Sequence, residues 1–112
     1  MHKVGVNGAR GRMGQRVVRI LSQLPSPPDV ISAEKSQAVT FADCDVVIDF
    51  SLPAATDDLL SALAGTRAAL VTGVTGRNEA QLAKIEALAS GRPVLQAANF
   101  SLGVHVLGHL VE

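Results

Sequence analysis

The sequence has a single cysteine, Cys44, so no disulfide can form within the chain. That usage fits a reducing compartment. Excess charge is missing as well: ten basic and ten acidic side chains give a formal net charge of zero. Such a balance leaves no electrostatic footprint for nucleic acid or for an anionic membrane, and any basic residue that matters must act locally. No apolar run approaches the ~20 residues of a membrane span, and no apolar leader precedes the strand pattern that begins at Val4. Repeats and low-complexity segments are absent too. A cytoplasmic globular chain is expected, with neither nucleic acid nor membrane as a partner. Its 112 residues, 47% of them hydrophobic, make one domain with an ordinary core. A domain of this size buries a modest share of its surface, so it leans on a neighbouring domain, a ligand or another copy of itself.

The apolar stretches alternate in kind. Val4-Gly5-Val6 predicts a short strand that ends at a glycine cluster. Apolar residues at Met13, Val17, Ile20, Leu21 and Leu24 then follow a helical spacing. Pro25-Ser26-Pro27-Pro28 ends that helix, because proline cannot continue it. Val30 to Ala33 reads as a second strand. Asp45 to Phe50 reads as a third, with the near-continuous apolar run of a sheet covered on both faces. Pro53 suits the first turn of a helix running to about Ala64 and stopped by Gly65. Ala68 to Thr72 is the next strand. Asn78 with Gln81 forms a capping-box pattern for a helix through Ala89, with Gly91 just past its end. Pro93 to Gln96 is a fifth strand, and Ser101 caps a last helix still running at Glu112. This order predicts a Rossmann-type α/β fold, a parallel sheet of about five strands with helices on both faces. Residues 34–44 are too short for a full crossover helix, and the open last helix leads us to expect a natural chain that continues.

Gly8-Ala9-Arg10-Gly11-Arg12-Met13-Gly14 has a G-x-x-G-x-x-G spacing at a predicted strand-to-helix junction. Gly8 allows a tight turn, Gly11 lets backbone amides approach a pyrophosphate, and Gly14 lets the helix pack closely on the sheet. The helix start offers unpaired N–H groups and partial positive charge to phosphates. About twenty residues on, at the end of the second strand, stands Glu34, placed to accept bonds from the adenosine ribose of NADH. Lys35 and Arg12 are placed to hold the extra phosphate of NADPH, so both cofactors are expected. No Gly-Lys-Ser/Thr follows the glycines, which excludes a P-loop.

Three further segments narrow the match: Val46-Val47-Ile48-Asp49-Phe50-Ser51 with Pro53 after it, Val71-Thr72-Gly73-Val74-Thr75-Gly76, and Ala98-Asn99-Phe100-Ser101-Leu102-Gly103-Val104. With Gly11-Arg12-Met13-Gly14 they resemble, over almost the whole chain and in the same order, the N-terminal domain of the 4-hydroxy-tetrahydrodipicolinate reductases, the dihydrodipicolinate reductases of lysine biosynthesis through diaminopimelate. The resemblance implies an oxidoreductase that passes hydride from NADH or NADPH to a cyclic imine-type dicarboxylate. It implies that Gly8, Ala9, Arg10, Gly11, Arg12 and Met13 hold the pyrophosphate and that Glu34 and Lys35 contact the adenosine ribose. It places Gly73, Val74 and Thr75 along the nicotinamide ribose, and Ala98, Asn99, Phe100 and Ser101 beside the nicotinamide and the hinge to a second domain.

The chain departs from the family pattern in three ways. Val74 stands where the family has threonine, the segment between the second and third strands is shorter, and the second domain's His-His pair, lysine and Asp-Ala-Pro-Ser-Gly-Thr run do not occur in these 112 residues. The chain is therefore expected to bind cofactor and to carry no catalytic residue of its own. The alternative is a stand-alone dinucleotide-binding module that senses redox state without catalysis. The sequence leaves open whether copies pair as a homo-oligomer.

Other groupings have plainer readings. His105 and His109 share a helical face but lack a third ligand, so no metal is expected. Ser51 and Ser101 read as helix caps, since neither sits in a Gly-x-Ser-x-Gly elbow. Asp43, Asp45 and Asp49 read as structural, and Asp57-Asp58 as first-turn acids of a helix.

Overall fold

Among the residues that the computed structural model describes, 3–33 and 41–96, five short strands alternate with three helices. β1 (Lys3–Asn7) leads into α1 (Arg12–Ser22), followed by β2 (Asp29–Ala33) and β3 (Val46–Asp49). Then come α2 (Thr56–Leu63), β4 (Ala69–Thr72), α3 (Glu79–Leu88) and β5 (Val94–Gln96). Every strand pair is parallel, and the sheet order is β2-β1-β3-β4-β5. The expected Rossmann-type α/β architecture is the observed one. The chain leaves β1 in one direction along the sheet and returns past it to β3, which makes the gap between these two strands the topological switch point.

Alternation within β3 shows why its apolar run is unbroken. Val46 and Ile48 join Val4, Val6 and Val71 against Val17 and Leu21 of α1. Val47 faces the other way, into Phe41, Leu70, Leu59 and Leu63 of α2, and Ile85 of α3. Both faces of the sheet are thus covered, and each fully buried leucine contributes about 2 kcal/mol of hydrophobic stabilisation. Cys44 belongs to the second cluster, where burial pushes its thiol above its ordinary value although Lys3 pulls it back. It is a protonated packing group at neutral pH. Among the described residues no helix is long and apolar enough to cross a membrane.

Local signals hold, with two corrections ahead of α2. Asn78 and Gln81 do form the capping box: Gln81 N donates to Asn78 Oδ1 at 2.8 Å and Asn78 N to Gln81 Oε1 at 2.9 Å. Gln81 Nε2 also donates to Pro53 O at 2.9 Å, fastening α3 to the segment before α2. That segment is the first correction. Pro53–Ala55 forms a single 3-10 turn, closed by Ala55 N donating to Leu52 O, and α2 proper begins only at Thr56. Ser51 is the second. Leu52, which has no polar side chain, occupies the cap position of the 3-10 turn, and the Ser51 hydroxyl donates to Asp49 instead of capping. Asp45 plays the expected structural part, accepting from the Lys3 backbone N–H at 2.9 Å. The first-turn acids of α2 are in place, and Lys84 pairs with Asp57 at 2.9 Å. The expected last helix, with Ser101, His105 and His109, lies outside the described residues, as does the segment 34–40.

Candidate functional site

The turn after β1 is held by backbone contacts that only glycine permits. Gly8 has a φ of 81°, and a Cβ there would stand 2.9 Å from the Phe50 carbonyl oxygen at the end of β3. The turn closes when Gly11 N donates to Gly8 O at 3.1 Å. Gly14 is buried in the first turn of α1, where a Cβ would overlap Gly8 O and reach 2.7 Å from Ala9 Cα. Its close approach is therefore to the loop itself rather than to the sheet as expected. Gln15 Nε2 donates to Arg10 O at 2.8 Å and fixes the loop from the helix side. Gly11 precedes α1 in extended backbone, caps it with no side chain, and no acid stands in the first turn. The start of α1 thus points backbone N–H groups and partial positive charge outward, with Arg12 beside them.

Among the described residues, several cavities adjoin this loop at the carboxyl edge. One, about 440 Å³, is lined by Gly8, Gly11, Phe50, Leu52, Ala55 and Asp58. A second, about 300 Å³, lies between Met13, Leu52 and the Gly73-Val74-Thr75 loop, with Phe50 shared between the two. The third, about 420 Å³ and more open, runs between α1 and the end of β2 and is lined by Ala9, Arg10, Gln15, Arg19 and Ser32. Gly73 carries no side chain because the Phe50 ring fills that space: a Cβ would overlap the ring edge. Leu52, 71% exposed, forms the ridge between the first two cavities.

Beneath this edge lies a closed polar network. Asp49, fully buried, accepts through Oδ1 from Asn7 Nδ2 at 3.0 Å, Ser51 N at 3.2 Å and Ser51 Oγ at 2.5 Å. Its Oδ2 accepts from Thr72 Oγ1 at 3.0 Å and Arg77 Nη2 at 2.8 Å. The Arg77 guanidinium also donates through Nε to Thr56 Oγ1 and through Nη1 to Thr72 Oγ1, each at 2.8 Å. Both charged side chains are essentially inaccessible to solvent. Among the described residues no buried side-chain nitrogen or oxygen is left without a partner.

The fold brings Gly8, Gly11, Met13, Gly73, Val74 and Thr75 to one edge around adjoining cavities, while Ala9 and Arg10 line the third. Met13, which the helical spacing placed among core positions, is exposed and faces the second cavity. Arg12 is exposed and lines none of these cavities. Glu34, Lys35, Ala98, Asn99, Phe100 and Ser101 lie outside the described residues. Sequence reasoning overlooked Phe50 and Leu52 as lining residues, and Arg77 altogether. One signal was available: an aspartate ending an apolar strand run is buried only with a partner, and a cation nearby in the fold was to be sought.

The family model described as "Dihydrodipicolinate reductase, N-terminus" matches residues 23–100. A 4-hydroxy-tetrahydrodipicolinate reductase of Stenotrophomonas maltophilia is 38% identical over 124 aligned positions, covering 96% of this chain and 52% of the relative. That of Sulfurimonas denitrificans is also 38% identical, covering 100% and 50%. One from Acinetobacter baumannii is 33% identical, covering 98% and 49%. The chain spans about half the length of the curated relatives it matches.

Proposed function

Because the chain belongs to the dihydrodipicolinate reductase family, matching its N-terminal domain, we propose that it is the dinucleotide-binding half of such an oxidoreductase and holds NADH or NADPH across the carboxyl edge of its sheet. The uncapped start of α1 behind Gly8, Gly11 and Gly14 carries this proposal. A pyrophosphate needs converging N–H donors, partial positive charge and space close to backbone, and a side chain at Gly11, which lines the cavity, would intrude on that space. Gly8, Ala9, Arg10, Gly11, Arg12 and Met13 take the pyrophosphate. Glu34 and Lys35 take the adenosine ribose, with Lys35 and Arg12 serving a 2′-phosphate. Gly73, Val74 and Thr75 follow the nicotinamide ribose, and Ala98, Asn99, Phe100 and Ser101 border the nicotinamide.

When bound, the cofactor supplies hydride, which in this family's chemistry goes to a cyclic imine-type dicarboxylate on the route to lysine, in the cytoplasm. The residues of this chain bind and orient. Substrate binding and proton supply fall to a further domain, in the part of the relatives that these residues do not match, so the 112 residues alone bind without turnover.

Calorimetric titration with NADH and, separately, NADPH tests the site. Saturable binding of either is expected, and no binding of either by a folded chain overturns the proposal. Two variants test the assignments. In Gly11→Val the first added carbon meets only Gly8 O, at 3.3 Å, so the chain is expected to fold with a shift of a few tenths of an ångström in the loop. Its dinucleotide affinity is expected to fall more than about tenfold, roughly 1.4 kcal/mol, and unchanged affinity removes the phosphate-loop role. Glu34→Ala is expected to weaken NADH more than NADPH, because only the former leaves the ribose hydroxyl that the carboxylate accepts from. Equal losses in the two titrations take Glu34 out of that role.

A further inference from the structure

We propose that Arg77 is a positioning residue for the nicotinamide side of the cleft, acting through Asp49 and Thr72; this deepens the dinucleotide reading and rests on it. Arg77 touches none of the cavities described, yet its guanidinium reaches three segments that shape them. Gly76, with a φ of 86°, turns the chain after the Gly73-Val74-Thr75 loop, and Arg77 follows it back into the core. Its Nη2 holds Asp49, whose other oxygen holds both the backbone N–H and the hydroxyl of Ser51. Its Nη1 holds Thr72, the last residue of β4, and its Nε holds Thr56, the first residue of α2. One carboxylate and one guanidinium therefore tie the Ser51–Pro53 lip of the 300 Å³ cavity to its Gly73–Thr75 lip.

Fold stability alone gives little reason for such a pair, since well-packed apolar residues of similar volume stabilise a core as well or better. The pair does fix which polar atoms face which. Arg77 has five donors in a planar fork, so its three partners set the relative placement of the strands and helix that carry them. A lysine in its place offers one compact charge and cannot span Thr56, Thr72 and Asp49 together.

The two halves of the dinucleotide can be told apart by titration. ADP carries the adenosine and pyrophosphate and lacks the nicotinamide ribose, so it reports on the glycine loop and the adenosine side and not on the nicotinamide side. Calorimetry of the purified chain with NADH and with ADP is carried out on wild type, Arg77→Lys and Thr56→Val. Arg77→Lys keeps a cation beside Asp49. It is expected to weaken NADH about tenfold, the worth of one or two hydrogen bonds, while ADP affinity stays within about twofold. Thr56→Val removes only the acceptor of Arg77 Nε and is expected to shift NADH in the same sense by a smaller factor, which keeps the test open if Arg77→Lys fails to fold. Equal losses for the two ligands, or NADH affinity unchanged in both variants, overturn the positioning role. Wild-type chain that binds neither ligand overturns the dinucleotide reading itself, a different result.

Discussion

Gly14→Ala is expected to lower the urea midpoint of unfolding sharply, by a stability loss of about 3 kcal/mol. That is a large part of the 5–15 kcal/mol that holds a typical domain together. A methyl group at this position overlaps the Gly8 carbonyl oxygen and stands 2.7 Å from Ala9 Cα and 2.9 Å from the Gly8 carbonyl carbon. All three are backbone atoms, so no rotamer change makes room. The first turn of α1 must lift from the loop, and Val17 and Leu21 on the same helix then lose their fit against Val4 and Val6. Alanine's better helix propensity offsets less than about 1 kcal/mol of this. Gly14 and Gly11, three residues apart, are expected to differ in kind, one needed for the fold and the other for the ligand. A Gly14→Ala chain with the wild-type urea midpoint would falsify the packing described here.

Arg77→Met has the second large expected effect, a destabilisation of about 3–5 kcal/mol. Methionine replaces much of the side chain's stem and none of its donors. Asp49 is then left as a buried carboxylate with no countercharge, and Thr56 and Thr72 each lose a charged donor at 2.8 Å. The loss comes from stranding Asp49 rather than from the net worth of the ion pair. It follows that Asp49→Asn, added to Arg77→Met, should restore a substantial part of the stability, because a neutral amide suffers far less from burial. Urea unfolding of the wild type, both single variants and the double variant closes a double-mutant cycle. Additive losses show that the two side chains do not depend on one another.

Much of the fold was legible because its signals are local. Asn78 and Gln81 stand three residues apart and satisfy each other's backbone. The run from Val46 to Ile48 announces a strand buried on both faces, and the two apolar clusters account for it. The glycine spacing placed a turn between β1 and α1, and the φ of Gly8 agrees. Most of what stayed hidden depends on partners distant in sequence. Arg77 meets Asp49 across 28 residues and Thr56 across 21, distances at which no spacing rule applies. Ser51 had the residue type of a cap, yet a buried carboxylate two residues away took its hydroxyl. Gly73 looked like part of a ligand loop, and its lack of a side chain answers first to the ring of Phe50. Of the candidate site, the glycine loop and the Gly73–Thr75 loop were readable, whereas the network beneath them was not.

Two of the tight glycines of this edge, Gly73 and Gly14, leave different room for evolutionary drift. At Gly73 the obstacle is a side chain, so a lineage that first shortened Phe50 gains the freedom to place alanine there. Such a pair of positions covaries, each change conditional on the other. At Gly14 the obstacle is the peptide backbone of Gly8 and Ala9, which no substitution elsewhere removes. Descendants of this chain can renegotiate the wall between two cavities, but the hinge between the first strand and the first helix is inherited unchanged.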